Sequence, residues 1–263
     1  MKIAIIQYAP RFGEVDENLD RLRSMVADVE ADVFLFPELF STGYLFKDKA
    51  ELRSLAEPFL GGPTHRFLEG LARDKDAAVL GGFPELAGES LFNSAAFVLP
   101  DGNATLYRKI HLFSKEKLIF DPGDMPFRVV EFRGARLGIM ICFDWIFPES
   151  YRTLALRGAD VVCHISNLVL PYCQRASYAH AVSNRIFVAV ANRVGTESRG
   201  GEELRFTGQS IVYSPSGDVL GELGDSEESV LTMEIDPFTA RDKRITEQND
   251  VIADRRPEFY ETE

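Results

Sequence analysis

Short apolar segments of strand length alternate with segments of helical periodicity along almost the whole chain. Residues 2–8 form an apolar run that is typical of a buried strand. Leu19, Leu22 and Val26 then recur at helical spacing, and a second apolar run covers residues 32–36. Strands that alternate with helices pair into sheets that the helices cover. The sequence therefore predicts an α/β (α+β) fold.

The remaining segments continue this alternation to about residue 236. No linker composition divides them, so we predict one domain over residues 1–236. The charged tail at 237–263 is either solvated or packs on another subunit. The order of elements in residues 2–36 returns about 130 residues later, which fits either an internal duplication or two ordinary β-α-β units. The further predicted helices cover 63–73, 148–157 and 173–185, and the further strands cover 77–81, 92–99, 104–110, 127–132, 136–141, 160–165, 187–192 and 229–235.

Charge and hydropathy exclude several classes of function. The 263 residues carry 29 Lys and Arg against 41 Asp and Glu, which gives a formal net charge of −12. A protein with this charge repels a phosphate backbone, so we expect no nucleic-acid partner. The apolar runs are too short to span a bilayer or to form the core of a signal peptide, which predicts a cytoplasmic protein without membrane contact. The expected partner is a small molecule.

The cysteines are the first candidates for chemistry. Cys142, Cys163 and Cys173 show neither a disulfide framework nor the spacing of zinc ligands, so we expect no metal and no cofactor. Motifs of nucleotide binding, serine hydrolases and zinc proteases are also absent. Cys142 ends an apolar strand just before a predicted helix, where free backbone N–H groups favour a thiolate. The alternative is a cysteine buried as a small apolar residue, which is our interpretation of Cys163.

Two charged residues occupy comparable positions. Glu38 follows the apolar run at 34–37, and Lys109 lies near the end of the second strand of a predicted hairpin. Either side chain alone is most simply interpreted as solvated, as charged residues at strand ends commonly are. Together, a thiol, a carboxylate and an ammonium group form the set that acyl transfer by a nucleophile requires.

Three segments carry a resemblance to a known family. Residues 36–44 (FPELFSTGY), 107–113 (YRKIHLF) and 138–149 (GIMICFDWIFPE) resemble, in order and spacing, the three catalytic segments of the nitrilase-superfamily carbon-nitrogen hydrolases. The similarity begins at the first strand and continues to residues 192–195, so it covers nearly the whole chain. It implies a single-domain, four-layer α-β-β-α sandwich of the carbon-nitrogen hydrolase type. It also implies a homodimer or higher homo-oligomer.

The resemblance further implies a Glu-Lys-Cys site, carried here by Glu38, Lys109 and Cys142. Glu116 occupies the position of a second glutamate that the family often has, and we assign it to positioning and electrostatics. In the predicted reaction Glu38 accepts the thiol proton as Cys142 attacks the carbonyl carbon of a small amide. Lys109 and the backbone N–H of Phe143 stabilise the oxyanion, and water then hydrolyses the thioester.

A histidine is the competing general base. His111 lies two residues after Lys109, although its surroundings resemble no cysteine-protease signature. We expect His164 to be hydrogen-bonded inside a strand, and His65 and His180 to lie on helix surfaces.

Residues after the predicted nucleophile bear on the substrate. Phe143-Asp144 replaces the Trp-Glu pair that the resembled nitrilases tend to carry, which favours an amide or a carbamoyl amine over a nitrile. Trp145 and Ile146 replace arginines that bind acidic substrates in some relatives, which disfavours an acidic substrate. The alternatives are a nitrilase with the same residues, an N-carbamoyl amine amidohydrolase and a non-catalytic scaffold member of the fold. The predicted substrate-binding residues are Tyr44, Trp145, Asn167, Val169 and Tyr172. The alternative interpretation is that these are ordinary core side chains.

Overall fold

The computed structural model describes residues 1–260, which form two six-stranded sheets and one two-stranded sheet. Three 3-10 helices, at Cys142–Ile146, Pro237–Arg241 and Pro257–Phe259, supplement the α-helices. In chain order the other elements are β1 (Lys2–Gln7), α1 (Val15–Met25), β2 (Val33–Leu35), α2 (Lys49–Leu55), α3 (Pro63–Lys75), β3 (Ala78–Ala87), β4 (Ser90–Val98), β5 (Ala104–Arg108), α4 (Glu116–Ile119), β6 (Val129–Phe132), β7 (Ala135–Ile141), α5 (Pro148–Leu156), β8 (Val161–Ser166), α6 (Cys173–Asn184), β9 (Phe187–Asn192), β10 (Thr196–Arg199), β11 (Glu202–Arg205), β12 (Ile211–Tyr213), β13 (Val219–Glu222) and β14 (Ser229–Glu234).

The two large sheets have the same topology. The first sheet has the order β14-β1-β2-β3-β4-β5, and the second, read from its opposite edge, has the order β6-β7-β8-β9-β12-β13. In each sheet the second, third and fourth strands are parallel, and every other neighbour pairs antiparallel. Five strands of each sheet match in chain order, β1 to β5 in the first and β7, β8, β9, β12 and β13 in the second, whereas the edge strands β14 and β6 come from different places in the chain. Of the two interpretations of the repeated order, this five-strand match favours an internal duplication.

The sheets pack face to face, and helices cover their outer faces. One apolar core joins Ile5 and Leu35 of the first sheet to Ile139, Ile165 and Ala189 of the second. A separate cluster places α1 and α3 against the outer face of the first sheet. Buried residues of α5 and α6 pack on the second sheet. These four layers confirm the predicted α/β sandwich in a single domain.

Some element boundaries differ from the predicted ones. β3 continues past residue 81 to Ala87, because it pairs with β4 along its whole second half. β5 ends at Arg108, so Lys109 lies directly after the strand. The sequence analysis does not predict α2, which begins where the Asp48 side chain accepts the N–H of Glu51 at 2.8 Å. It also misses the hairpin β10–β11, whose largely exposed strands contain no apolar run.

The C-terminal tail packs at least partly on its own chain. Ala240 is buried, and Arg241 forms an ion pair with Asp160 at 2.9 Å. Further along, the carbonyl group of Val251 accepts a hydrogen bond from Arg152 of α5. The last three predicted tail residues, 261–263, lie outside the described residues. In the part of the chain that the structure describes, no helix combines the length and apolarity that a bilayer crossing needs.

Candidate active site

The candidate residues meet where ends of strands from the two sheets come together. Glu38 follows β2, Lys109 follows β5, and Cys142 follows β7. Gly82 of β3 lies at this junction. A Cβ atom added there would lie 2.7 Å from Glu38 Cα and 3.1 Å from Ile165 Cδ1 of the opposite sheet. Only glycine permits this close approach, which lets both the backbone of Glu38 and the side chain of Ile165 from the second sheet pack against β3.

Glu38, Lys109 and Glu116 form a buried cluster of charges. Lys109 Nζ donates to Glu38 Oε1 at 2.7 Å and to Glu116 Oε1 at 2.8 Å. Burial alone would lower the pKa of Lys109, but the charges of Glu116 and Glu38 outweigh it and raise that pKa. Lys109 is therefore an ammonium group. Asn93 Nδ2 of β4 also donates to Glu38 Oε1, at 2.7 Å.

Glu116 is held by groups on two loops. The hydroxyl group of Tyr44 donates to Glu116 Oε1 at 2.6 Å, and the backbone N–H of Phe113 donates to Oε2 at 3.0 Å. Burial raises the pKa of Glu116, Lys109 opposes this effect and Glu38 adds to it. Burial and the same carboxylates also raise the pKa of Tyr44, so its hydroxyl group keeps the proton that it donates.

Cys142 has an unusual backbone conformation. Its φ of 41° lies in the left-handed region, at the step from β7 to the 3-10 helix Cys142–Ile146. For a residue other than glycine this conformation costs roughly 1–3 kcal/mol and requires support from neighbouring groups. His164 supplies part of that support, because its Nε2 lies 2.9 Å from the carbonyl oxygen of Cys142. Burial lowers the pKa of His164 to about 4, so the imidazole is neutral at pH 7.

The thiol of Cys142 is protonated in the resting structure. Burial raises its pKa well above the ordinary value, the charge of Glu38 adds to this effect, and Lys109 and the backbone N–H of Asn167 oppose it. The expectation that the following helix favours a thiolate is therefore wrong. A short 3-10 helix, which includes Cys142 itself, precedes α5, and burial dominates the pKa.

An acceptor for the thiol proton is available in the charge cluster. Glu38 Oε2 is buried and has no hydrogen-bond partner among residues 1–260. Buried carboxylate oxygens are normally hydrogen-bonded, so an unpartnered one calls for an explanation. Among the charges around Cys142, that of Glu38 acts most strongly on the thiol.

The histidine alternative receives little support from the geometry. His111 Nδ1 lies 2.7 Å from Asp144 Oδ1, and its ring stacks on Phe147 at 3.8 Å. The interior position predicted for His164 is confirmed. The surface position predicted for His65 is wrong, because its ring is buried beneath Phe59. His180 is half-buried and stacks on Tyr151, so its prediction is also wrong in part.

Three of the predicted substrate-binding residues line a cavity beside Cys142. This cavity, of about 20 Å³, is bordered by Trp145, Asn167 and Val169. Tyr44 faces Glu116 instead, as described above. Tyr172 lies outside the cavity at the start of α6, and its side chain is 59% exposed. The other lining residues, which sequence analysis missed as wall residues, are Phe113, Phe143, Leu168 and Leu170.

Several supporting residues were also missed by the sequence analysis. Asp144 Oδ2 accepts from Tyr107 at 2.7 Å and from the N–H of Ile141 at 3.1 Å, which ties the Cys142 turn to β5. The sequence does contain a signal for Asn93, because an amide side chain in a mostly apolar, buried strand needs hydrogen-bond partners. None of the described residues form a group of three or more His, Cys, Asp or Glu side chains that could hold a metal ion.

Comparison with known proteins identifies the class. The family model described as carbon-nitrogen hydrolase matches residues 2–244, and the chain belongs to that family. It is 43% identical to a protein from Pyrococcus abyssi named "Nitrilase", over 99% of each chain. It is 37% identical to an "(R)-stereoselective amidase" from Pseudomonas sp., over 97% of this chain and 92% of the relative.

Solved structures show the same fold. A mutant of the amidase from Nesterenkonia sp. AN1 aligns with a TM-score of 0.80 at 29% identity, over 98% of this chain and 94% of that one. In that structure the acetamide moiety of fluoroacetamide is added covalently at the active site cysteine. The present protein is thus a nitrilase-superfamily carbon-nitrogen hydrolase with a mixed α/β sandwich fold.

Proposed function

We propose that the protein hydrolyses a small amide to a carboxylic acid and ammonia through a thioester on Cys142. The observation that carries the proposal is the unpartnered, buried Oε2 of Glu38 in the same site as a protonated thiol. General-base activation requires a carboxylate oxygen that is free to accept a proton in the same site as a protonated nucleophile. Glu38 Oε2 and the Cys142 thiol meet this requirement. The covalent adduct at the cysteine of the Nesterenkonia amidase also supports it.

The first half-reaction forms the thioester. Glu38 Oε2 takes the proton of Cys142 Sγ as the sulfur attacks the carbonyl carbon. Nζ of Lys109 has three protons, of which Glu38 and Glu116 each accept one, so the third is free to bind the oxyanion. The backbone N–H of Phe143 is the proposed second donor, and removal of one such donor typically costs about 10²–10³ in rate. The tetrahedral intermediate collapses when Glu38 returns its proton to the departing amine.

The second half-reaction releases the acid. Glu38, again a carboxylate, accepts a proton from a water molecule that attacks the thioester carbon. Lys109 again binds the oxyanion, the carbon–sulfur bond breaks, and the sulfur recovers the proton from Glu38. Glu116 accepts a hydrogen bond from Lys109 and keeps that ammonium group in place.

The lining of the cavity supports an uncharged substrate with a short acyl group. Trp145, Val169 and Leu170 are apolar, and no charged side chain borders the cavity within the described chain. A charged acyl group would lose its hydration there without a partner. The volume of about 20 Å³ holds about one water molecule, so anything beyond a short aliphatic chain requires side chains to move.

Release of ammonia from a panel of substrates tests the proposal. The panel contains acetamide, propionamide, a carbamoyl amine and the nitriles with the same carbon chains. We expect the amides to have the highest kcat/KM. The Cys142→Ala variant should release no ammonia above the uncatalysed rate while its unfolding midpoint stays near the parental value. Turnover by that variant at the parental rate would contradict the role of Cys142.

Nitrile hydrolysis is the second candidate function, because the Pyrococcus abyssi relative at 43% identity is named a nitrilase. Preference for nitriles in the same panel would favour it, and preference for the carbamoyl amine would favour an N-carbamoyl amine amidohydrolase. Failure of fluoroacetamide to label Cys142, together with no turnover, would favour the non-catalytic scaffold.

We also propose a homodimer or a higher homo-oligomer. Large apolar side chains are exposed near the C-terminal tail, including those of Phe238, Phe259 and Tyr260. Light scattering should give a multiple of the chain mass of 29.5 kDa. A mass equal to one chain at micromolar concentration would contradict this proposal.

A further inference from the structure

A second buried pair of charges lies close to the site but takes no part in the proposed reaction. Arg193 follows β9 and forms an ion pair with Glu197 of β10, and both side chains are almost fully buried. The guanidinium group of Arg193 lies over the ring of Phe206, 3.8 Å from its centroid. Burial of an ion pair seldom stabilises a fold more than apolar side chains of the same volume would. The pair therefore calls for a reason other than stability.

Glu197 uses both of its carboxylate oxygens to hold one loop. The N–H of Tyr44 lies 3.1 Å from each oxygen, and the N–H of Leu45 donates to Oε2 at 2.8 Å. The preceding residue, Gly43, has a φ of 87°, and a Cβ atom there would lie 2.8 Å from Glu197 Oε1. Glycine at position 43 therefore lets the backbone of the loop approach the carboxylate of Glu197 closely.

The side chain of Tyr44 connects the held loop to the charge cluster. Its ring meets Phe206 edge to face, with centroids 5.9 Å apart, so Phe206 contacts both Arg193 and Tyr44. Its hydroxyl group donates to Glu116, which in turn accepts from Lys109 at 2.8 Å. A continuous set of contacts thus runs from Arg193 to the ammonium group of the site.

We propose that Arg193 and Glu197 are positioning residues, which fix the backbone of Tyr44 and Leu45 so that the Tyr44 hydroxyl group holds Glu116 against Lys109. The inference rests on the proposed function, since it assigns these residues a role in that reaction. A loop that drifts by about 1 Å would turn the hydroxyl group away from Glu116, and a displacement of this size costs about 10²-fold in rate.

The test compares Glu197→Gln, Tyr44→Phe and the double variant in hydrolysis of propionamide. Glutamine preserves the shape of the side chain but removes its charge and one acceptor oxygen. We expect each single variant to lower kcat by about 10- to 100-fold with KM changed by less than about 3-fold. Because Glu197 acts through Tyr44, the double variant should be no slower than the slower single one. Effects that multiply, or a parental kcat in Glu197→Gln, would overturn the proposal.

Asp160→Asn is the matched control. Asp160 is also a buried carboxylate with arginine partners, Arg241 and Arg136, but it lies at the start of β8, at the end of the strand away from Asn167. Its replacement should destabilise the fold to a similar extent and leave kcat within about 2-fold of the parental value. An equal fall of kcat in the control would show that lost stability alone explains the result, and would overturn the proposal.

Hydrogen exchange separates this inference from the proposed function. In Glu197→Gln the amides of Tyr44 and Leu45 lose acceptors, so exchange of that peptide should become faster, whereas Asp160→Asn should not change it. If the parental protein hydrolyses none of the substrates, the proposed function is wrong, but the exchange result still stands. If exchange in Glu197→Gln is unchanged, the positioning role is wrong, whatever the substrate. If Glu197→Gln does not fold, Arg193→Lys replaces it, and this conservative variant should retain more activity than Arg193→Met.

Discussion

The two halves of the sandwich have matching strand order but contribute different chemistry to the site. The end of the first sheet carries charges, at Glu38 and Lys109, and these are joined by Glu116. The end of the second sheet carries a neutral thiol, Cys142, with the neutral imidazole of His164 behind it. We call these sets the charged rim and the thiol rim. In the proposed reaction the base belongs to the charged rim and the nucleophile to the thiol rim, so that reaction requires the two sheets to be packed together.

The largest expected effect removes the proton acceptor of the charged rim. Glu38→Gln keeps the contacts of Oε1 but places an amide group where the unpartnered oxygen lies. We expect kcat for propionamide to fall by about 10²–10⁴-fold, the usual contribution of a general base. Glu57→Gln is the control, because Glu57 is also buried but its carboxylate accepts the N–H of Thr64, at 2.9 Å, and has no contact with Lys109. A similar loss in the control, or none in Glu38→Gln, would contradict the division between the rims.

The thiol rim should respond to acid through His164. The folded protein has a pKa of about 4 for this group, below the ordinary 6.5, so the unfolded chain binds the proton more readily between these values. This contribution to the free energy of unfolding is complete above pH 6.5 and is lost as the pH falls towards 4, by about 3 kcal/mol in all.

Urea unfolding at several pH values between 7 and 4 tests whether the free energy of unfolding falls on acidification. The difference between the parental protein and His164→Asn isolates the histidine from other groups that titrate in the same range. We expect the variant to lose less stability on acidification. An equal slope in both proteins would show that His164 is not the responsible group.

A smaller effect is expected when the support of Lys109 is weakened. Glu116→Gln removes one of the two negative charges around the ammonium group but keeps acceptors for Tyr44 and Phe113. We expect kcat to fall by about 10²-fold, through displacement of Lys109 from the oxyanion position. The exposed Glu202→Gln should leave kcat unchanged, since the Glu202 carboxylate pairs with Lys115 and not with Lys109. Full activity of Glu116→Gln would show that Glu116 is not needed to hold Lys109 in the oxyanion position.

The smallest expected effect separates the rims physically. Gly82→Ala places a methyl group within 3.0 Å of the backbone of Glu38 and Leu39, so one of them must move. We expect a loss of about 1–3 kcal/mol in unfolding free energy, with a lower kcat. Gly70→Ala, in the open part of α3, has no atom within 4 Å and should be neutral or slightly stabilising. Unchanged activity in Gly82→Ala would show that the close approach of the sheets is not needed.

Much of the fold is predictable from the sequence because buried strands and amphipathic helices have local periodic patterns. The strands near Glu38, Lys109 and Cys142 fall within a few residues of their predicted positions. The extension of β3 is not predictable in this way, since it depends on pairing with β4. The same holds for Glu197, whose partner loop lies about 150 residues earlier in the chain.

Within the site, residue types are more predictable than protonation states. A thiol, a carboxylate and an ammonium group at strand ends can be recognised without coordinates. The protonated state of Cys142 depends on the depth of burial and on the distance to Glu38, neither of which a strand boundary specifies. The prediction that Tyr172 belongs to a mostly apolar wall of the substrate site rests on its residue type, and residue type does not show that a side chain at the start of α6 is exposed.

The pairing of β1 with β14, the last strand in the chain, has a consequence for synthesis of the protein. β1 begins at Lys2 and pairs with β14, whose Glu234 lies opposite Lys2. The edge of β1 therefore stays without its neighbour until nearly the entire chain has left the ribosome. We expect the apolar strand β1 to remain open to pairing with other extended segments during translation, until β14 is available to cover its edge.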